Sequence, residues 1–248
     1  MKRKTLIWAG VILLLAGCGA GAYAQAAQDI SLNLSLKGGG DFSKAVNILL
    51  LMTALSLAPS AIMMMTSFIR IAIVLSFLRQ ALGTQNVPSP RMTSALALFL
   101  TLFIMQPVWT DIYNKSVQPY SKHQISEQVA IDNAATPLKE FMLKQTRESS
   151  LLLFMELADM GPVESPEKLP MTVVIPAFML SELKTAFQMG FLIYLPFLLV
   201  DVVVSTTLMS MGMMMLPPTM ISLPFKLLLF IIIDGWTLVV RSLVDSFA

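Results

Sequence analysis

Hydrophobic positions fall in long blocks rather than in alternation. From Ser43 onward there are four of them, Val46–Leu82, Met92–Trp109, Ala186–Leu216 and Ile221–Val244, and each is long enough to be read as helix. The first runs for 37 residues, roughly 55 Å at the helical rise and nearly twice the thickness of a bilayer's hydrocarbon core. It must kink, tilt or fold back. Pro59, after Ala58, is the expected break, because proline removes an intrahelical hydrogen bond and disfavours helix in the residue before it. Between the second and third blocks the chain turns polar, with six Lys/Arg against nine Asp/Glu over residues 111–170. There Ser126 is placed to cap a helix from Glu127 to Ala134, and Pro137 suits the first turn of the next. Leu138, Phe141 and Met142 share a face of that helix, Leu151, Phe154, Met155 and Ala158 repeat the spacing, and Gly161-Pro162 stops the pattern.

The segment before the first block reads as an export signal. Lys2, Arg3 and Lys4 precede a short apolar stretch, Leu6 to Ala16, and Ala22-Tyr23-Ala24 before Gln25 has the small-x-small form of a signal-peptidase site. A second reading stays open: Leu15-Ala16-Gly17-Cys18 also fits lipoprotein cleavage, with Cys18 lipidated. Gln28 to Gly40 then forms a flexible leader. Arg79 and Arg91 bracket a turn without an acid, as expected on the cytoplasmic side, which places residues 111–170 outside. The expected class is therefore all-α: a helical membrane-associated protein with long kinked hairpins and a small helical periplasmic unit.

Composition agrees. Hydrophobic residues make up 56% of the 248 and charged residues 13%, too apolar a balance for an ordinary soluble domain. A net charge of +2 with no basic run beyond the first four residues excludes a nucleic-acid partner. One cysteine and one histidine cannot build a disulfide framework or a Cys/His zinc site, and no cofactor is expected. Neither GxxxxGK[ST], HExxH nor GxSxG occurs, so no enzymatic reaction is expected and energy must come from a partner or the proton gradient.

Charges that fall inside apolar blocks carry more information. Arg70, Asp201, Lys226 and Asp234 lie where an unpaired charge costs at least a few kcal/mol, so each must face protein or water. Lys226 and Asp234 are eight residues apart on one helix, roughly 12 Å, so their partners lie on other helices or subunits. Prolines 59, 176, 196, 217, 218 and 224 free backbone groups that only protein or a cavity can satisfy. Both features call for an oligomer. Met209 to Pro218 joins the third and fourth blocks with five methionines, and Met213, Met214 and Met215 in a row on a tight reversal cannot all face one core. Flexible, polarizable side chains there suit a constriction that closes around varied contents. Phe141 and Phe154 either fill the core of the small polar unit or pack against another copy.

Pro176-Ala177-Phe178-Met179-Leu180-Ser181-Glu182-Leu183-Lys184-Thr185-Ala186-Phe187-Gln188-Met189-Gly190-Phe191 resembles the signature of the FliP family of flagellar biosynthetic proteins. Leu216-Pro217-Pro218, Leu223-Pro224-Phe225-Lys226-Leu227, Asp234-Gly235-Trp236, Phe141-Met142-Leu143, Gln145-Thr146-Arg147 and Ala81-Leu82-Gly83-Thr84 are similar to that family too. The resemblance implies a multi-copy subunit of the type III export gate, with FliQ and FliR beside FlhB and FlhA, passing unfolded flagellar proteins across the inner membrane at the flagellar basal body. It further implies a pore gasket at Met213, Met214 and Met215, and contact between copies through Phe141, Phe154 and Glu182. Leu180, Leu183 and Phe187 line one side of the signature helix, leaving Glu182 and Lys184 to meet charged neighbours. Buried charge pairing is thus expected for Arg70, Lys184, Asp201, Lys226 and Asp234. The expected organisation is an export signal (1–24), a leader (25–42), a first helical hairpin region (43–109), the periplasmic unit (110–170), and the signature helix with a second hairpin region (171–248) around the methionine loop at 209–218. Two alternatives remain: a gate subunit of a virulence secretion system, and a small-solute channel or transporter, against which the lack of inverted halves counts.

Overall fold

Pro170 and Gly212 bound the longest element. Proline before the first helical residue suits a helix start, and α8 then runs for 40 residues from Met171 to Ser210, roughly 60 Å. The computed structural model describes residues 42–84, 88–161, 165–213 and 217–247. The export signal with its two cleavage alternatives at Ala24 and Cys18, the leader to residue 41, and Met214 and Met215 lie outside the described residues. Among those described, every element is a helix: α1 Phe42–Met64, α2 Phe68–Leu82, α3 Pro90–Ile104, α4 Gln106–Ile112, α5 Gln118–Ser121, α6 Glu127–Gln145, α7 Glu148–Leu157, α8, α9 Pro218–Ile232 and α10 Gly235–Asp245, with a π turn over Tyr113–Val117 and a 3₁₀ turn over Pro166–Lys168. The chain divides into two units, residues 1–56 and 57–248. The described part of the first is the start of α1. Everything below concerns the second.

Three expected boundaries fall elsewhere. The first apolar block is not broken at Pro59, which lies inside α1; the break comes at Met65–Ser67. There the Thr66 hydroxyl donates to the Met63 carbonyl at 3.0 Å and accepts from the Phe68 N–H at 3.4 Å, local bonds that compete with the helical ladder. Pro137 does not start a new helix either. It sits buried within α6, which continues unbroken from Glu127 to Gln145, and Ser126 stands at its N-cap position without a side-chain bond. The polar segment 110–170 does not pack by itself: its core residue Met142 closes on Leu169 and on Val173, Val174 and Phe178 from the first turns of α8.

Proline also explains the π turn. Pro119 has no N–H to give the Lys115 carbonyl, and the Asn133 side-chain amide donates to that oxygen instead, at 3.1 Å. This bond and that of the Ser116 hydroxyl to the Ala130 carbonyl, 2.6 Å, hold the π turn to α6.

α8 packs most extensively on α2, and further on α7, α9 and α6. Its close approach to α2 requires Gly190, where a Cβ would lie 2.6 Å from the Phe77 ring. Among the described residues α8 is the one helix long and apolar enough to cross a membrane, and three bent helix pairs bring the candidate spans there to as many as four, among them α3 with α4–α5 at 57° and α9 with α10 at 63°. Only 11% of the most apolar stretch of α8 is buried inside the chain. Leu192, Leu199, Phe191 and Val202 stand exposed on it, while Ser181, Glu182, Ser222, Arg70 and Lys226 are buried. This inverts the soluble pattern, in which long charged side chains face water. The surroundings of the chain must therefore be apolar.

The α9–α10 bend depends on Gly235, where a Cβ would fall 2.2 Å from the Phe230 ring, itself edge-on to Trp236 at 5.4 Å. Gly235→Ala is expected to cost about 1–3 kcal/mol by overpacking. In a Phe230→Ala background the same change costs much less, which a double-mutant cycle of thermal unfolding in detergent checks.

A second expectation concerns Arg70. Its guanidinium donates from Nε to Glu182 Oε2 at 2.9 Å and from Nη2 to Glu182 Oε1. Nη1 donates to the Ser246 carbonyl at 2.8 Å and to its hydroxyl at 3.0 Å, and Nη2 also reaches Gln145 at 3.1 Å. The Phe247 ring stacks beneath, 3.8 Å from the guanidinium carbon to the ring centroid. Arg70→Lys keeps the charge but cannot reproduce this fork. It should destabilise the protein by about 2–3 kcal/mol and release the C-terminal residues to carboxypeptidase, a loss read by intact mass.

Candidate functional site

The stretch that joins α8 to α9 combines an engineered-looking stop with exposed methionines. α8 ends in a Schellman motif: Gly212 is left-handed at φ 73, its N–H donates to the Met209 carbonyl at 3.1 Å, and the Met213 N–H donates to the Leu208 carbonyl at 3.0 Å. Glycine fits this position because a Cβ is strained there. Pro217 and Pro218 then start α9, with proline at its first positions. Of the described methionines at this end of α8, Met209, Met211 and Met213 are all exposed. The hydroxyls of Thr206, Thr207 and Ser210 are turned back onto carbonyls of their own helix, so what α8 offers at its end is mainly thioether.

Beneath the turn, a polar clamp joins the two arms of the hairpin. Lys226 on α9 donates to Asp201 Oδ2 on α8 at 2.6 Å, and the buried Ser222 hydroxyl donates to Asp201 Oδ1 at 2.6 Å. Both carboxylate oxygens are thus satisfied within the chain. The Lys226 side chain is 6% exposed and that of Asp201 24%, so the pair is shielded on the lysine side and partly open on the aspartate side. Gly83, left-handed after α2, lies next to the ammonium: a Cβ there would be 3.8 Å from Lys226 Nζ. The negative end of the α2 dipole therefore borders the buried cation.

Of the charges expected to be buried in pairs, Arg70, Asp201 and Lys226 are so placed. Lys184 and Asp234 are exposed and have no ion pair among the described residues of this chain. Lys184 points outward from α8, because the buried face of that helix is taken by Ser181, Glu182 and Ala186. Asp234 is exposed at the α9–α10 break, left-handed at φ 49, where a short polar side chain tolerates that backbone better than most. Glu182 is fully buried and holds Arg70 of its own chain. Leu180 and Phe187 face outward in its place.

Phe141 packs edge-on to Phe178 at 6.0 Å and stacks with Phe247 at 6.3 Å, bridging the two apolar cores. Phe154 is half-buried against the second core. Sequence reasoning missed Gln145, Ser246 and Phe247 around Arg70, and Ser222 beside Asp201. It also missed Arg147, whose backbone N–H donates to Ser181 Oγ at 3.0 Å and whose guanidinium reaches Thr185 and Gln188, tying the α6–α7 corner to α8. The signal available was a polar residue on an otherwise apolar helical face, which marks Ser181 and Ser222 but not their partners. Among the described residues no three His, Cys, Asp or Glu side chains converge as metal ligands do.

Comparison with known proteins places this arrangement. The model of the FliP family matches residues 51–243. The flagellar biosynthetic protein FliP of Bacillus subtilis (strain 168) is 53% identical over 205 residues, covering 83% of this chain and 93% of its own. That of Pectobacterium carotovorum subsp. carotovorum is 52% identical over 210 residues, covering 85% and 81%, and that of Caulobacter vibrioides is 45% identical over 251 residues, covering 99% and 93%. With the match running from the first apolar helix into the last, and about half the residues shared with relatives covered over most of their length, the chain belongs to the FliP family.

Proposed function

We propose that this chain is a subunit of the flagellar type III export gate, assembled in several copies in the bacterial inner membrane, through whose centre unfolded flagellar proteins pass. The observation that carries this reading is the inverted surface. Charges are paired inside the chain while large apolar side chains on α3, α8 and α9 stand uncovered, which suits packing against other helices and lipid. FliQ and FliR are the expected neighbours in the ring, with FlhB and FlhA beside it. α7 presents Leu152, Leu153 and Leu157 outward next to Phe154, a face suited to association between copies on the periplasmic side; Phe141 supports that face from within.

In the same reading Met213, with Met214 and Met215 after it, forms the gasket. A thioether side chain has three rotatable bonds and no fixed partner, so a ring of them closes on itself and yields to a passing chain of any sequence. The Asp201–Lys226 clamp keeps the two arms of each hairpin together below the turn. No chemical step is asked of the subunit: it seals and guides.

The test is to extract the tagged protein from its membrane in mild detergent and measure particle mass and composition. A multi-copy particle containing FliQ and FliR supports the gate. A reproducible monomer or dimer without them favours a separate transporter. Replacing Met213, Met214 and Met215 together by alanine should leave that particle intact and raise the permeability of the inner membrane to ions at least several-fold. Unchanged permeability with an assembled particle would remove the gasket role.

A further inference from the structure

α3 and α10 start at one level of the fold and run the same way. Pro90 and Thr93, in the first turn of α3, border a small cavity with Ser76 and Arg79 from the last turns of α2. Ile233 and Gly235, at the α9–α10 break, border another with Leu78 of those same turns. From there α10 descends to its end, where the Ser246 carbonyl accepts from Arg70 in the first turn of α2. α3 packs back along α2 from the same starting level. Whatever the two helices turn outward is therefore presented at matching height.

The two outer faces are complementary. On α3, Met92, Phe99 and Phe103 follow at spacings of seven and four residues, one exposed stripe, while Ala97 and Thr101 take the buried face. Beside α10 lies the reverse shape, an open apolar groove of about 280 Å³ bordered by Leu78, Ile193, Phe197, Ile233 and Val239, with Ser242 its one polar side chain. No residue of α3 borders it, so stripe and groove are separate surfaces. A charge stands at the upper end of each: Arg91 beside the stripe and Asp234 beside the groove, both exposed. Asp234 occupies the N-cap position of α10 without a side-chain bond there, and its carboxylate has no hydrogen bond or ion pair among the described residues. Residues 85–87, 162–164 and 214–216 contain no lysine, arginine or histidine that would supply one. For Arg91, no Asp or Glu occurs from Ile71 to Thr110, so its own hairpin supplies no carboxylate.

We propose that the groove beside α10 receives the Met92–Phe99–Phe103 stripe of a second copy of this chain, with Arg91 of one copy set against Asp234 of the next. The inference rests on the reading of the chain as a multi-copy subunit and names the faces that join. Copies related by rotation about one axis bring together surfaces at the same height, which is how stripe and groove, and Arg91 and Asp234, are placed. Because the two faces differ, the contact is head-to-tail: each joined pair leaves one stripe and one groove for further copies, and repetition gives a ring or a short spiral. An acyl chain would also fit the groove, but an anionic headgroup would meet Asp234 as a like charge.

The test produces two differently tagged forms of the full chain together in the membrane, one with Phe99→Cys and one with Leu238→Cys, and treats them with a short bifunctional thiol reagent. The expected product is a covalent dimer carrying both tags, absent when either form is paired with the parent chain. In the extracted particle Asp234→Asn, whose side chain tolerates the left-handed backbone, should lower the multi-copy fraction about two- to fivefold. Arg91→Gln should do the same, and the two together should cost no more than either alone. A multi-copy particle with FliQ and FliR that yields no mixed-tag dimer overturns this interface and leaves the gate reading standing. A mixed-tag dimer from particles that lack FliQ and FliR supports the interface and removes the gate reading. Additive losses at Arg91 and Asp234, or linkage of position 238 to a lipid or a different subunit in place of the second copy, overturn the interface as well.

Discussion

A guanidinium taken out of water has five N–H donors to satisfy, and Arg70 finds acceptors for its fork on three separate parts of the chain: Glu182 in the middle of the signature helix, Gln145 at the end of α6, and Ser246 after α10. Desolvating both charges is expensive, and their mutual attraction offsets it only when geometry is good and the remaining donors are bonded. Here they are. The consequence is positional more than energetic: with both residues buried, the pair fixes the register of α2 against α8, and the bonds to Ser246 bring the end of α10 back to the same point. The glycine at 190, which lets the Phe77 ring approach the α8 backbone, is the steric counterpart of that register.

From this fixed crossing the two ends of α8 take different roles. Its first turns share a core with α6 and α7, to which the Arg147 corner adds hydrogen bonds. Its far end carries the hairpin, where the second ion pair, Asp201–Lys226, is less enclosed than the first. A deeply buried pair suits a permanent joint. A pair open on its carboxylate side, below a turn stopped by Gly212 and restarted by two prolines, suits a part that meets other molecules. The uncovered apolar sides of α3, α8 and α9 complete the picture of a chain whose two buried ion pairs are closed internally while much of its apolar surface stays uncovered.

Much of this was legible without coordinates, and the exceptions share a cause. Helical class, the apolar blocks, the methionine reversal and the need for partners at Arg70, Asp201 and Lys226 all follow from period, length and the cost of charge in an apolar setting. Pro59 and Pro137 each lie inside a continuous helix rather than at a break; Pro137 is buried there, so packing offsets its local cost. On α8 the spacing sets Leu180, Leu183 and Phe187 on one side and leaves Glu182 to a charged neighbour, but it does not say which side is the inside; Leu180 and Phe187 are exposed and Glu182 is buried. In an apolar environment that stripe has no reason to hide, and the buried side goes to Glu182, which must meet its cation.

Sequence alone therefore determined the all-helical class, the apolar blocks and the need for a partner at Arg70, Asp201 and Lys226, since these depend on neighbours within a few turns. The tertiary structure decided which partner each charge has. Arg70 and Glu182 stand 112 residues apart, Asp201 and Lys226 25, and Lys184 and Asp234 are released to the surface by the same packing. No local pattern encodes those choices, because a helix has several faces of similar apolarity, and only the close approach of other helices makes one of them the inside.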